Sequence, residues 1–147
     1  MKYIRWFSEI GAADVGLVGG KNASLGEMYR ELGSHGVRVP NGFAVTAQAY
    51  RHVLEQDDAW PRLQKALAGL DSRDVEDLAR RAKTAREIVY GAALPADLVA
   101  EIRVAYAQLQ NEYGDAATFA VRSSATAEDL PTASFAGQHE TFLNISG

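Results

Sequence analysis

Two stretches far apart in the 147-residue chain hold residue types suited to gripping a phosphate. The first is Gly16-Leu17-Val18-Gly19-Gly20-Lys21-Asn22-Ala23-Ser24. Glycines let backbone N–H groups approach an anion, a helix start adds a favourable dipole, and Lys21 adds a full positive charge. The run is not a Walker A loop. That pattern requires a glycine where Val15 stands and Ser or Thr directly after the lysine, where Asn22 stands. A plain glycine-rich turn followed by a solvated lysine is the alternative, and these residues alone leave it standing.

The second stretch runs from Val121 to Gln138. Arg122, leaving an apolar strand for hydroxyl-rich residues that include Ser123 and Ser124, presents the fixed fork of donors that matches a phosphate. Small residues such as Ser134, Ala136 and Gly137 would let loop amides close over a polyphosphate. The same composition also suits an ordinary surface hairpin, and both readings stay open. Glu128 and Asp129 have the oxygens that Mg²⁺ takes, but adjacent loop carboxylates are ordinarily solvated, and no metal site is assigned in the chain. His35, His52 and His139 stand alone in sequence, without metal-ligand spacing or a serine–histidine–acid order, and receive no catalytic role.

The elements that must position these residues follow from periodicity. Tyr3 to Phe7 alternates as a short strand before a glycine-rich run from Gly11 to Gly20. From Lys21, apolar residues Ala23, Leu25, Met28, Tyr29 and Leu32 recur at helical spacing, predicting a helix that ends near Gly33. After the turn residues Pro40-Asn41-Gly42, Phe43 to Val45 reads as a buried strand and Thr46 as the cap of a helix toward Leu54. The middle is helical: a short helix over Ala59 to Leu70, then a pair marked by Val75 to Val89 and by Leu98 to Leu109, joined through Gly91 to Leu94, with Pro95 at the second start. Thr118 to Val121 and Glu140 to Ile145 read as two strands around a long loop, Ser123 to Gln138. Loops longer than about 12 residues in compact domains are commonly functional.

Composition limits the choices. An apolar fraction of 47% and a charged fraction of 23% are those of a globular chain. The net charge of -4, with basic residues scattered, gives no electrostatic footprint for nucleic acid or an anionic membrane. The absence of cysteine excludes disulfides and thiolate metal sites. The N-terminal residues lack the apolar stretch of a signal peptide, and no segment approaches the roughly 18 apolar residues of a membrane span, so the cytoplasm is the default location.

Three blocks, Gly19 to Met28, Val39 to Ala44 and Phe119 to Leu143, closely resemble the opening ATP-binding domain of the phosphoenolpyruvate synthase (pyruvate, water dikinase) family, to which pyruvate, phosphate dikinase and rifampicin phosphotransferase are related. The resemblance is collinear from near residue 6 onward. It implies an α+β chain forming most of the first lobe of an ATP-grasp-type nucleotide-binding domain, with a helical insertion in the middle, residues 1–147 being its N-terminal part. It also implies that Lys21 and Arg122 contact the ATP phosphates, that Gly137 and Thr141 lie in the loop and strand lining the nucleotide, and that Ser123, Ser124 and Gln138 are weaker candidates of the same block. His139 stands where many relatives carry glutamine, and no role passes to it. The implied enzyme moves a phosphoryl group from ATP through an enzyme histidine to pyruvate. The implied Mg²⁺ ligands, the second lobe, the phosphohistidine domain and the pyruvate site would lie outside this chain, which alone would not turn over pyruvate. A rifampicin phosphotransferase-like lobe and a non-catalytic nucleotide-binding module are the alternatives, and a homo-oligomer is left open.

Overall fold

The computed structural model describes residues 1–127 and 139–146. The chain divides into two compact units, one of Met1–Gln48 with Ala100–Gly147 and one of Ala49–Val99. Mixed helices and small sheets make it α+β, as expected.

In the first unit, strand β1 (Ile4–Trp6) pairs antiparallel with β2 (Phe43–Val45), Ile4 opposite Val45 and Trp6 opposite Phe43. The Trp6 and Phe43 rings meet edge to face at 5.7 Å, the cross-strand contact that sets this register. Strand β1 stops short of the expected Phe7 because Phe7–Glu9 winds into a 3₁₀ turn whose Glu9 carboxylate accepts the Trp6 N–H at 2.7 Å. The glycine-rich run is more helical than its composition suggests: Ala12–Asp14 forms a 3₁₀ turn and Val15–Val18 a short helix, α1. Helix α2 (Gly20–Leu32) follows, one residue ahead of its expected start.

Buried Ile10, Val18, Ala23 and Ala44 make the core here, with Phe7, Val15 and Leu17 against them. Helix α2 reaches this core through Gly26, where a Cβ would stand 2.6 Å from the Ile10 carbonyl oxygen. Only a residue without a side chain permits that approach.

Helix α6 (Ala96–Tyr113) runs a turn past the expected apolar stripe. Its residues in this unit tie down distant chain: Tyr113 Oη accepts the Asn41 N–H at 2.6 Å, Glu112 accepts from the Asn41 side chain at 2.8 Å, and Tyr106 stacks edge to face on Phe119 at 5.2 Å. Strands β3 (Phe119–Arg122) and β4 (Thr141–Ile145) pair antiparallel with an irregularity between Phe119 and Val121. The expected hairpin is therefore present, although most of its loop lies outside the described residues.

The second unit contains most of α3 (Ala47–Leu54), then α4 (Ala59–Leu67), α5 (Val75–Gly91) and the start of α6. Leu54, Ala59 and Ile88 are its buried centre, flanked by Leu63, Ala66, Val89 and Ala92. Asp74 caps α5 by accepting the Asp77 N–H at 3.0 Å, one of the donors that a helix start leaves without an internal partner. His52 Nε2 lies 3.1 Å from Asp97 Oδ1, which gives that isolated histidine an ordinary structural partner.

The N-terminus is anchored by one carboxylate. Glu101 accepts the backbone N–H groups of Lys2 and Tyr3, each at 2.8 Å. Partial burial pushes its pKa up, but these donors and the terminal ammonium stabilise the charged form and leave it below the usual 4.5. A carboxylate whose folded pKa is lowered stabilises the fold above its unfolded value, and the contribution disappears as pH falls through the folded value. Glu101→Gln is therefore expected to lower the urea midpoint at pH 7, with the gap to the parent chain closing as the buffer drops below about 4.5. A gap that is constant with pH would show that charge at Glu101 does not anchor the strand.

Candidate functional site

Helices α1 and α2 meet at a corner made by one residue. Gly19 has φ 82° and ψ 161°, a backbone region essentially restricted to glycine. Its N–H donates to Val15 O at 2.8 Å, and the Asn22 side-chain amide donates to Val18 O at 2.8 Å. Asn22, the residue that breaks the Walker A pattern, thus serves as a brace that caps α1 from the first turn of α2. Sequence reasoning missed this role. The available signal was a short side-chain amide one turn after the last residues of an apolar helix, which can reach a free carbonyl.

Gly19 is also pressed against the chain that leaves β3. A Cβ placed on it would collide with the Ser124 hydroxyl and stand 2.9 Å from the Ala125 nitrogen. The neighbouring Gly20 N–H donates to Ala125 O at 3.2 Å. These contacts join the segment carrying Lys21 to the segment carrying Arg122. They also change the expected chemistry of the glycines, because the Gly19 and Gly20 amides are engaged by Val15 and Ala125 within the protein. Partly exposed Lys21 follows directly in the first turn of α2.

On the other segment, Arg122 ends β3 and stands opposite Thr141, the first residue of β4. Directly opposed residues of an antiparallel pair present their side chains on one face, so two of the candidates share a surface that is open to solvent. One step further, Ser123 closes the hairpin base. Its N–H donates to Glu140 O at 3.0 Å and its hydroxyl accepts the Glu140 N–H at 2.9 Å. The same hydroxyl lies 3.1 Å from His139 Nδ1. Both residues therefore have intramolecular roles here, and that of His139 has no counterpart in the sequence reading.

Ser124 differs. Its Oγ is buried with no hydrogen-bond partner among the described residues. Burying a hydroxyl without an acceptor costs on the order of 1–3 kcal/mol, so such atoms are uncommon in folded proteins. Gly137 and Gln138 lie outside the described residues, as do Glu128 and Asp129. Among the described residues, no group of three or more His, Cys, Asp or Glu side chains is arranged to hold a metal ion.

The Gly19 corner gives a paired test. Gly19→Ala is expected to lower unfolding free energy by roughly 1–3 kcal/mol from backbone strain alone, with the Ser124 collision in addition. Gly16→Ala, where a Cβ meets nothing within 4 Å, is expected to lose no stability. Equal urea midpoints for the two variants would refute the close approach of Gly19 to Ser124.

Comparison with known proteins covers the same ground. Residues 15–147 match the family described as pyruvate phosphate dikinase, AMP/ATP-binding domain. The chain is 54% identical over 147 residues to the phosphoenolpyruvate synthase of Pseudomonas aeruginosa strain UCBPP-PA14, covering 100% of this chain and 18% of that protein. It is 49% identical over 148 residues to the phosphoenolpyruvate synthase of Helicobacter pylori strain 26695, with the same coverage of 100% and 18%. With the phosphoenolpyruvate synthase of Escherichia coli K12 it shares 49% identity over 144 residues, covering 98% of this chain and 18% of that protein. The chain thus spans under a fifth of the length of these relatives. Since the match includes both the α1–α2 corner and the β3–β4 hairpin, the chain belongs to the pyruvate phosphate dikinase AMP/ATP-binding domain family.

Proposed function

We propose that this chain is the ATP-binding part of a phosphoenolpyruvate synthase and forms the first lobe of an ATP-grasp-type nucleotide-binding domain. The observation that carries the reading is the Gly20 N–H to Ala125 O bond, which fastens the first turn of α2, with its lysine, to the residues just after Arg122. In this reading Lys21 and Arg122 hold the ATP phosphates, Thr141 and Gly137 line the nucleotide, and Ser123, Ser124 and Gln138 complete the surrounding shell. The buried Ser124 hydroxyl supports it as well, since a phosphate oxygen would supply the acceptor it lacks among the described residues. That all three relatives compared are phosphoenolpyruvate synthases favours this enzyme over a rifampicin phosphotransferase.

The chemistry would proceed in three transfers. A histidine outside this chain attacks the β-phosphorus of ATP and AMP leaves; water then releases the terminal phosphate; the remaining phosphoryl group passes to the enol oxygen of pyruvate. Charge on the departing phosphate oxygens grows as the bond breaks, and a positioned ammonium and guanidinium lower the barrier by neutralising it. The arginine fork binds two oxygens at once and so fixes orientation, whereas the lysine acts as a point charge. Mg²⁺ would be held by residues of the longer protein outside this chain and would help to neutralise the phosphate charge. Pyruvate would likewise be bound elsewhere in the longer protein. A cytoplasmic location fits this enzyme, and no helix among the described residues is long and apolar enough to cross a membrane.

Calorimetric titration with ATP tests the reading in a protein extended to the length of the relatives. Arg122→Ala is expected to raise Kd more than tenfold, a loss of about 1.4 kcal/mol. Arg122→Lys, which keeps the charge and loses the fork, is expected to fall between the two. Unchanged affinity in Arg122→Ala would remove Arg122 from the site.

A further inference from the structure

The second unit contains a groove that the ATP reading does not use. It is a groove open to solvent between α4 and α5, with a volume of about 540 Å³, lined by Arg62 and Lys65 from α4 and by Arg80, Arg81 and Thr84 from α5. Ala66 and buried Ile88 supply an apolar floor. Pockets for small molecules commonly have volumes of about 300–1,000 Å³ and combine an apolar base with a few converging polar groups.

Its charge is the informative feature. The chain as a whole is acidic, with 15 basic and 19 acidic side chains, yet four of the basic ones gather on this groove. Residues three apart on a helix share a face, which puts Arg62 and Lys65 side by side. Arg80 and Arg81 both pair with the single carboxylate of Asp77. Glu87, the one acid in the lining, sits 3.8 Å from Lys83, which is not part of the lining. Among the described residues no acid pairs with Arg62 or Lys65. Lys65 lies in the last turn of α4, and Arg81 Nη1 donates to the carbonyls at that helix end, Ala66 O at 3.2 Å and Ala68 O at 2.8 Å. Like charges drawn together at this spacing repel unless an anion offsets them.

Arg81 is held in place before any ligand arrives. Its Nε donates to Asp77 Oδ2 at 2.6 Å and its Nη1 to the two carbonyls, so the Nη2 donors remain on a guanidinium that cannot easily turn away. We propose that the α4–α5 groove is a binding site for a small phosphate-bearing anion. Arg62, Lys65 and the remaining donors of Arg80 and Arg81 would take the phosphate oxygens, and the Ala66–Ile88 floor would take a small organic body. Forked donors on a fixed arginine select for oxyanions over halide, and a volume of about 540 Å³ is of the size that small-molecule sites have.

The test is an NMR titration of the ¹⁵N-labelled chain at fixed ionic strength, with inorganic pyrophosphate in one arm and AMP in the other. Saturable shifts of the Ala66, Thr84 and Ile88 amides are expected with pyrophosphate. The double variant Arg62→Gln, Lys65→Gln should raise Kd at least fivefold with unchanged circular dichroism, because both positions are exposed. Arg122→Ala should leave these shifts intact, which separates this site from the proposed ATP contacts. Matching shifts with AMP would identify a nucleotide as the source, and shifts with pyrophosphate alone a non-nucleotide phosphate. No shifts at these amides, shifts reproduced by sodium chloride, or an unchanged Kd in the double variant would overturn the proposal.

Discussion

The contact between Gly19-Gly20 and Ser124-Ala125 is the constraint on which the arrangement of the first unit turns. It brings backbone against backbone, and only the absence of a Cβ at Gly19 allows the distance. A backbone hydrogen bond from Gly20 to Ala125 then fixes the register of that contact. Asn22 holds the same corner from the other side by capping α1. The first turn of α2 and the exit of β3 are thus joined directly, and any chemistry of Lys21 and Arg122 inherits its geometry from that contact.

Long-range polar contacts support this feature where the strands are too short to do so. Strands of three to five residues bury little, and an isolated two-stranded hairpin is marginal in water. Glu101 accordingly clamps the start of the chain, Asn41 is held by Glu112 and Tyr113, and the backbone and hydroxyl of Ser123 both bond to Glu140 at the hairpin base. These bonds close loops of many residues, and each satisfies a backbone or side-chain group that would otherwise compete for water. The second unit is built differently. Its helices pack through their own small core, and one guanidinium, that of Arg81, connects Asp77 in the first turn of α5 to the carbonyl end of α4.

Much of this was legible in the sequence because it is local. Apolar spacing reports which residues share one face of a helix or strand, and that depends on neighbours within a few positions. It sufficed for the α+β class, for α2, the Phe43–Val45 strand, the α5–α6 pair and the terminal hairpin, and residue chemistry singled out Lys21 and Arg122. Misjudged boundaries occurred where side chains overruled composition. Glu9 turned the chain out of β1, and the glycine-rich run became helical because Asp14 accepts the Gly11 N–H at 2.9 Å and so closes a turn.

What the sequence alone determined, then, was the set of elements and the residue types able to meet a phosphate. Only the tertiary structure decided that Arg122 stands across from Thr141, that the Gly19 and Gly20 amides are turned toward Val15 and Ala125, and that the Ser123 hydroxyl is engaged at Glu140 while that of Ser124 has no acceptor among the described residues. The physical reason is that a hydrogen-bonding group has many equivalent partners in an unfolded chain. Which one it takes is settled when packing brings residues a hundred positions apart to within about 3 Å.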